Sequence, residues 1–294
     1  MAVELVDGKT MGEKAKSPWL EFWKQLRRNH AAMIGLATLV ILVIVAIAAP
    51  LIAPYHYQES NLPMSLKAPS FAHWFGTDEL GRDILSRIIF GARISLRVGI
   101  EAVILSLFVG ILLGALAGFY GGLVDNIIMR LMDIMLAFPP LLLAMAFMMA
   151  LGRGLDNAII AIGIVSIPEY ARIVRGSVLS VRENDYVQAA RAIGDHDLQI
   201  ITYHILPNVT APIIVRATLG ISSAILDAAF LGFMGLGVQP PEAEWGAMLG
   251  SGRSAIFSAP HIVTFPGIAI TVTVLAFNLL GDGLRDALDP RLKQ

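Results

Sequence analysis

The side chains best placed to do chemistry in this sequence are the charged ones set inside long apolar runs. Arg97 and Glu101 stand four residues apart, Arg130 and Asp133 three, and Glu169 and Arg172 three. On a helix each pair can neutralise itself. Arg216 and Asp227 are eleven residues apart, about 16 Å along a helix, so neither can satisfy the other. A charge near the middle of a bilayer costs about 2.5–3.5 kcal/mol on insertion scales, so each survivor is expected to face a partner or a wet cavity. Asp227, the deepest, is a candidate for lining such a cavity and meeting a cationic group there. Glu101 is the second candidate, and a purely structural bond between helices is the alternative for both.

Other chemistries are narrowed by what the chain contains. Zero cysteines exclude disulfides, thiolate metal sites and cysteine nucleophiles. His30, His56, His73, His196, His204 and His261 fall in loops or near the ends of apolar runs, so no catalytic set converges inside a span and no catalytic residue is expected. Asp78, Glu79 and Asp83 can in principle ligate a hard cation. They are interleaved with Arg82 and Arg87, which favours a capped turn with internal ion pairs, and no metal is expected. Gly8-Lys9-Thr10 looks like the end of a phosphate-binding loop, but Val3 stands where that loop needs a glycine. A net charge of −1 gives no reason for a nucleic-acid partner.

These groups have to be held by helices in lipid. The chain is 56% hydrophobic and 15% charged, with mean hydropathy +0.69, whereas about a quarter of a soluble domain is charged. Residues 1–30 form a polar segment carrying Lys9, Lys14, Lys16, Lys24, Arg27 and Arg28. It ends in an amphipathic helix over 18–29 with Trp19, Phe22, Trp23 and Leu26 on one face, expected to lie on the membrane; an ordinary extension of the next helix is the alternative. Residues 31–53 are the first span, and the cations before it are expected to stay in the cytoplasm. Residues 54–93 read as an outer, periplasmic loop. The second span, 96–120, carries Gly110, Gly114 and Gly118, a spacing that predicts close packing on another helix. Gly121-Gly122 turns the chain.

The third span starts near Ile127 and is interrupted by Phe138-Pro139-Pro140, whose freed carbonyls need cover from protein or a cavity. Its Met145, Met148 and Met149 read either as an adaptable lining or as packing. A fourth span, 157–179, is predicted despite Pro168, Glu169 and Arg172, because Arg175, Arg182 and Arg191 have to lie inside. The fifth runs from Pro207 to Phe233 and the sixth lies within 262–280. The expected fold is an all-α polytopic membrane protein of six transmembrane helices, with a core over 94–283 and a cytoplasmic tail over 284–294.

Between the fourth and fifth spans lies a polar insert, 185–206. Asn184 or Asp185 can cap a short helix, with Gln188 completing a capping box, and Gly194 suits a left-handed C-cap. Asp195 can cap a second helix whose Leu198, Ile201 and Ile205 make one apolar stripe, and Pro207 suits the first turn of the next helix. Gln188-Ala189-Ala190, three residues, Gly194, nine residues, then His204-Ile205-Leu206-Pro207 resembles the cytoplasmic EAA loop, or coupling helix, of ABC importer permeases. Ala189, Ala190, Gly194, Leu206 and Pro207 match. Gln188 stands where that family usually has Glu, and His204 where it usually has an aliphatic residue, so a salt bridge from the first position does not carry over. The run from Phe75 to Asp83, the segment Gln239-Pro240-Pro241-Glu242-Ala243-Glu244-Trp245-Gly246 and the tail from Gly281 to Pro290 resemble the dipeptide/oligopeptide branch, in its C-type subunit, which has the extra first span.

The resemblance implies the ABC importer type I permease fold, with Gln188, Ala189, Ala190, Gly194, Leu206 and Pro207 coupling to the ATPase. It implies a multi-pass protein of the bacterial inner membrane with both termini cytoplasmic. No cofactor is implied in this chain; ATP and Mg belong to two ATP-binding subunits. The other implied partners are a homologous second permease forming a heterodimer, a periplasmic solute-binding protein and membrane lipid. The implied cargo is a dipeptide or short oligopeptide, whose ammonium end Asp227 can meet; a nickel complex, haem or a longer peptide are alternatives. A proton-coupled secondary transporter would also account for the intramembrane acids, but it needs no docking insert, and no internal repeat is found.

Overall fold

Gly110, Gly114 and Gly118 leave a bare stripe along α3 (Ile84–Tyr120), and α6 (Leu155–Val181) lies directly on it. A β-carbon at Gly110 would stand 2.5 Å from Tyr170 Cβ, one at Gly114 2.5 Å from the Ala171 carbonyl oxygen, and one at Gly118 2.9 Å from Val178 Cβ. The spacing read from the sequence therefore does what it predicts, letting two backbones meet where side chains would hold them apart. The structure, a computed structural model, describes residues 18–288, with side chains from residue 21. Lys9, Lys14, Lys16, the Gly8-Lys9-Thr10 segment, the Trp19 side chain and Asp289-Pro290 lie outside the described residues.

Around this pair stand α2 (His30–Ile52), α9 (Thr210–Phe233) and α11 (His261–Leu288), all long and apolar. Five helices among the described residues are long and apolar enough to cross a membrane, or six if α4 (Gly122–Leu136) and α5 (Pro140–Leu151) count as one broken span. Those two meet at 91°. Pro139 and Pro140 have no N–H to return to the preceding turn, so the ladder stops and the chain swings.

Several boundaries differ from the sequence reading. α3 begins at Ile84, because Asp83 caps it by accepting from Ser86 N at 2.7 Å, so residues 84–93 are helix rather than loop. α11 runs on to Leu288, into the stretch read as tail, because Gly283 lets it lie against Ala32, and Leu284 and Ala287 pack around Leu26. The first helix, α1 (Pro18–Arg28), is not an extension of α2, since Asn29 breaks the chain and caps α2 through Ala32 N at 3.1 Å. Its apolar face is divided: Leu26 is 3% exposed against α11, while Trp23 is 42% exposed.

The acidic run before α3 is a turn braced by ion pairs. Asp78 Oδ2 lies 2.7 Å from Arg82 Nε and 3.6 Å from Arg87 Nε, and Asp83 Oδ1 lies 2.9 Å from His73 Nδ1. Glu79 accepts from Ser254 Oγ at 2.6 Å. Beyond α9, Glu244 caps α10 (Trp245–Gly252) by accepting from Gly246 N and Ala247 N at 2.8 and 2.7 Å. Burial pushes its carboxyl above the ordinary carboxylate range, while those bonds pull it back. Trp245, 1% exposed, donates from Nε1 to the Ile88 carbonyl and packs against Gly91, tying α10 to α3.

Replacing Gly114 with Val is expected to separate α3 from α6 at a cost of about 1–3 kcal/mol, seen as a lower Tm in detergent. Gly176→Ala is the control, because nothing lies within 4 Å of a β-carbon there. Equal Tm values for the two variants would refute the packing account.

Candidate functional site

The polar insert folds as two short helical segments seated on the ends of α3 and α6. α7 (Asp185–Ala192) ends in paired backbone bonds, Gly194 N to Arg191 O and Asp195 N to Ala190 O, both 3.1 Å. This closure requires the φ of +95° that Gly194 adopts. The capping box expected from Gln188 does not form. Asn184 holds the N-cap position without a side-chain bond, and the first-turn N–H groups of Val187 and Gln188 go to its carbonyl.

The second segment starts one residue later than expected. His196, not Asp195, precedes α8 (Asp197–Gln199), and Gln199 Oε1 accepts from His196 N at 3.1 Å. Asp195 Oδ2 instead lies 3.0 Å from His204 Nε2, clipping the start of the segment to its end. Residues Ile200–Ile205 then wind as a π-helix, closed by Leu206 N donating to Ile201 O. Pro207 cannot supply the N–H that an α-helix would aim at Tyr203, and it opens a 3₁₀ turn, Leu206–Val209, leading into α9. The wider pitch changes which side chains share a face. Ile200, Ile201 and Ile205 are buried, whereas Leu198, assigned to the inner stripe, is 71% exposed.

The family-like positions therefore divide between two sides. Ala190 is buried with Val187, Ile200, Ile205 and Val209 against Val174 and Val178 of α6 and Phe119 of α3. Gln188, Ala189, Gly194 and Pro207 face outward, and Leu206 is half-buried. Ile193, Leu198 and Tyr203 also point out, at 80%, 71% and 75% exposure. Sequence reasoning did not single out Ile193 or Tyr203; only the π turn and the position of the C-cap put them on the open side.

From this seat α6 carries a series of cross-helix ion pairs. Arg175 pairs with Asp125 of α4 at 2.5 and 2.6 Å, Arg172 with Asp133 of α4 at 2.5 Å, and Glu169 with Arg216 of α9. The expected pairs Arg130–Asp133 and Glu169–Arg172 are replaced by these, because helices packed this closely bring carboxylates and guanidinium groups face to face across the interface. Arg97–Glu101 forms as expected, at 2.8 Å, and Arg97 Nη2 also reaches Asp156 at 3.3 Å.

A cavity of about 80 Å³ lies where the α4–α5 break meets α6 and α9. Arg216, Gly220, Ser223 and Asp227 recur on one face of α9 and line it, opposite Glu169 and Tyr170. Leu136, whose carbonyl finds no N–H on Pro140, lies at its wall. Arg216 is held by Glu169 and lies 5.8 Å over the Tyr170 ring. Asp227 has no hydrogen bond or ion pair among the described residues. The Tyr170 hydroxyl is buried without a hydrogen-bond partner among the described residues, directly over Gly220. The cavity thus offers an anion and a hydroxyl, both uncommitted, to a cationic, hydrogen-bonding solute. Glu101 is not part of it. Nor are the third-span methionines: Met148, 1% exposed, packs in the core, and Met149 is 79% exposed.

Residues 110–294 match the family described as binding-protein-dependent transport system inner membrane component, and residues 17–69 match the N-terminal TM domain of oligopeptide transport permease C. A dipeptide transport system permease protein, DppC, of Alkalihalophilus pseudofirmus is 53% identical over 279 residues, 95% of this chain and 92% of that protein. A glutathione transport system permease protein, GsiD, of Escherichia coli is 49% identical over 285 residues, 96% of this chain and 93% of that protein. Among solved structures, the MetNI methionine ABC transporter in an inward-facing conformation aligns with TM-score 0.59 and 17% identity, over 70% of this chain and 98% of that one. An amino acid ABC transporter with histidines gives 0.53 and 16%, over 68% and 94%. At such identities the structures speak for the fold, that of ABC importer type I permeases.

Tyr170→Phe is expected to leave Tm unchanged or to raise it, since the hydroxyl has no bond to lose. Gly220→Ala is expected to lower it, by about 1–3 kcal/mol of overpacking against that hydroxyl. A Tm loss in Tyr170→Phe as large as in Gly220→Ala would show that the hydroxyl is bonded after all.

Proposed function

We propose, from the premise that this chain belongs to the binding-protein-dependent transport system inner membrane components, that the solute it passes is a dipeptide or short oligopeptide. The chain is a permease subunit of an ABC importer and is not itself catalytic; ATP hydrolysis lies in partner subunits. In the fuller reading it pairs with a homologous second permease to make a heterodimer. Two ATP-binding subunits hold ATP and Mg, and an external solute-binding protein delivers cargo. The assembly sits in the bacterial inner membrane with both termini of this chain in the cytoplasm, where the cations of α1 favour them.

One continuous path supports the coupling role. A push on the open face of the loop, at Gln188, Ala189, Gly194 and the exposed Ile193, Leu198 and Tyr203, passes through Ala190, Leu206 and the buried isoleucines to the end of α6. α6 in turn is bonded through Arg175, Arg172 and Glu169 to α4 and α9, the two helices that wall the cavity. Pro207 fixes the joint between loop and α9. Asp227 then meets the ammonium end of the peptide, and the Tyr170 hydroxyl one of its amides. Glu101, bonded to Arg97, has the weaker claim to the path. The dipeptide permease at 53% identity favours this cargo, and the glutathione permease at 49% keeps glutathione as a second reading.

The test is uptake of labelled dipeptide into proteoliposomes holding the assembled transporter, with tripeptides, tetrapeptides and glutathione as competitors. ATP-dependent dipeptide uptake is expected, and Gly194→Pro should abolish it, because proline cannot adopt the φ of +95° at that position. ATP consumption without peptide entry would remove the cargo and leave the coupling. Asp227→Asn is expected to lower uptake about tenfold, the scale of one lost charge-assisted hydrogen bond. Unchanged uptake and unchanged pH dependence in Asp227→Asn would rule out its place in the path.

A further inference from the structure

We infer that the end of the bundle opposite the coupling loop carries a second site, built to take a carboxylate, where the start of α3, the end of α9 and α10 meet. The cavity there has a volume of about 270 Å³ and is lined by three guanidinium groups, Arg82, Arg87 and Arg253. Arg82 and Arg87 are 8% and 4% exposed, so their charges are held in place rather than trailing in solvent.

The local acids do not use up these donors. Asp78 Oδ2 accepts from Arg82 Nε at 2.7 Å and lies 3.6 Å from Arg87 Nε, while its Oδ1 accepts from Leu80 N and Arg82 N at 2.9 Å. Arg87 spends its terminal nitrogens on the Tyr57 and Glu242 carbonyls, at 3.1 and 3.4 Å. Glu242, the only acid in the lining among the described residues, accepts from the Tyr57 hydroxyl at 3.4 Å. Arg82 Nη1 and Nη2 have no acceptor among the described residues, and Arg253 has neither hydrogen bond nor ion pair among them.

A guanidinium cannot shed its proton to escape an unfavourable site, and its planar fork fits a carboxylate through two parallel bonds. Arg253 is exposed and the free edge of Arg82 opens on the cavity, so an entering carboxylate can reach both and gain charge-assisted bonds from donors that no side chain among the described residues uses. An entering carboxylate would take the free edge of Arg82 and the side chain of Arg253 together. Two sources present this group at an outer face: the carboxyl end of the cargo peptide and an acidic side chain of the external binding protein. Only the choice of source rests on the function proposed above.

The experiment uses the assembled transporter in proteoliposomes, with wild type, Arg253→Gln and Arg82→Gln. Arg253 bonds to nothing that folding needs, and Arg82→Gln is admitted only with a wild-type Tm. Two quantities are measured: half-saturation of uptake for a labelled dipeptide and for its C-terminal amide, and the binding-protein concentration that half-maximally stimulates ATP hydrolysis at low and high salt. If the peptide is the source, Arg253→Gln should reduce the preference for free acid over amide by about tenfold. If the binding protein is the source, Arg253→Gln should raise its half-stimulating concentration about tenfold, equally with acid and amide, and flatten the salt dependence. Wild-type values of both quantities in Arg253→Gln and in folded Arg82→Gln overturn the site. Should no peptide enter even with wild type, the cargo reading fails by itself, and the ATP-hydrolysis arm still decides the site.

Discussion

How closely α6 can lie on α3 governs most of what this molecule does. In lipid there is no water to expel from between two helices, so their attraction comes from packing, and packing needs backbones within reach. Gly110, Gly114 and Gly118 supply that reach along the last third of α3. Once α6 is fixed there, Val174 and Val178 form a floor for the polar insert. Its middle faces α4 and α9 with Arg175, Arg172 and Glu169. Moving α6 by one side chain's width would disturb the seat, the ion pairs and the cavity at once.

Charge placement follows from the same constraint. A guanidinium or carboxylate in a low-dielectric interior has to be matched, and a match between helices also fixes their relative position. The three pairs on α6 serve as struts, which is why they run to other helices instead of along α6 itself. Groups left unmatched stand out against that background. Asp227 and the Tyr170 hydroxyl face one cavity at the broken span, and Arg253 faces another at the far end with the edge of Arg82 that Asp78 does not use. Both sets lie where a helix is interrupted or begins, the places in a membrane protein where irregular backbone and polar atoms are tolerated.

The polar insert shows how a local backbone detail selects a surface. An α-helical continuation through Ile205 would have put Leu198 inside with Ile201 and Ile205. The π turn, closed against Pro207, buries Ile200 instead and turns Leu198 outward beside Ile193 and Tyr203. His204, one of the two positions where this chain departs from the family pattern, bonds to Asp195 and clips that turn in place. The family-like residues are thus shared between a buried seat and an exposed face.

The sequence by itself determined the class of the molecule and much of its plan. Hydropathy gave the apolar spans, the glycine spacing gave a close helix pair, Pro139-Pro140 gave a break, and Gly194 gave a helix end; each is a local property that the chain carries wherever it folds. The insert between the fourth and fifth spans was legible as a short helical element for the same reason. Partnership between helices was not legible. Asp133 has Arg130 three residues away and chooses Arg172, thirty-nine residues on, and Glu169 passes over Arg172 for Arg216. Spacing along a chain says which groups can meet on one helix, but the distance across a helix interface depends on how the helices pack. Likewise Arg82 and Arg87 read as partners of the acids in their own turn, and only the convergence of α3, α9 and α10 brings Arg253 to the same cavity, because a cavity is a property of several elements at once and no single segment encodes it.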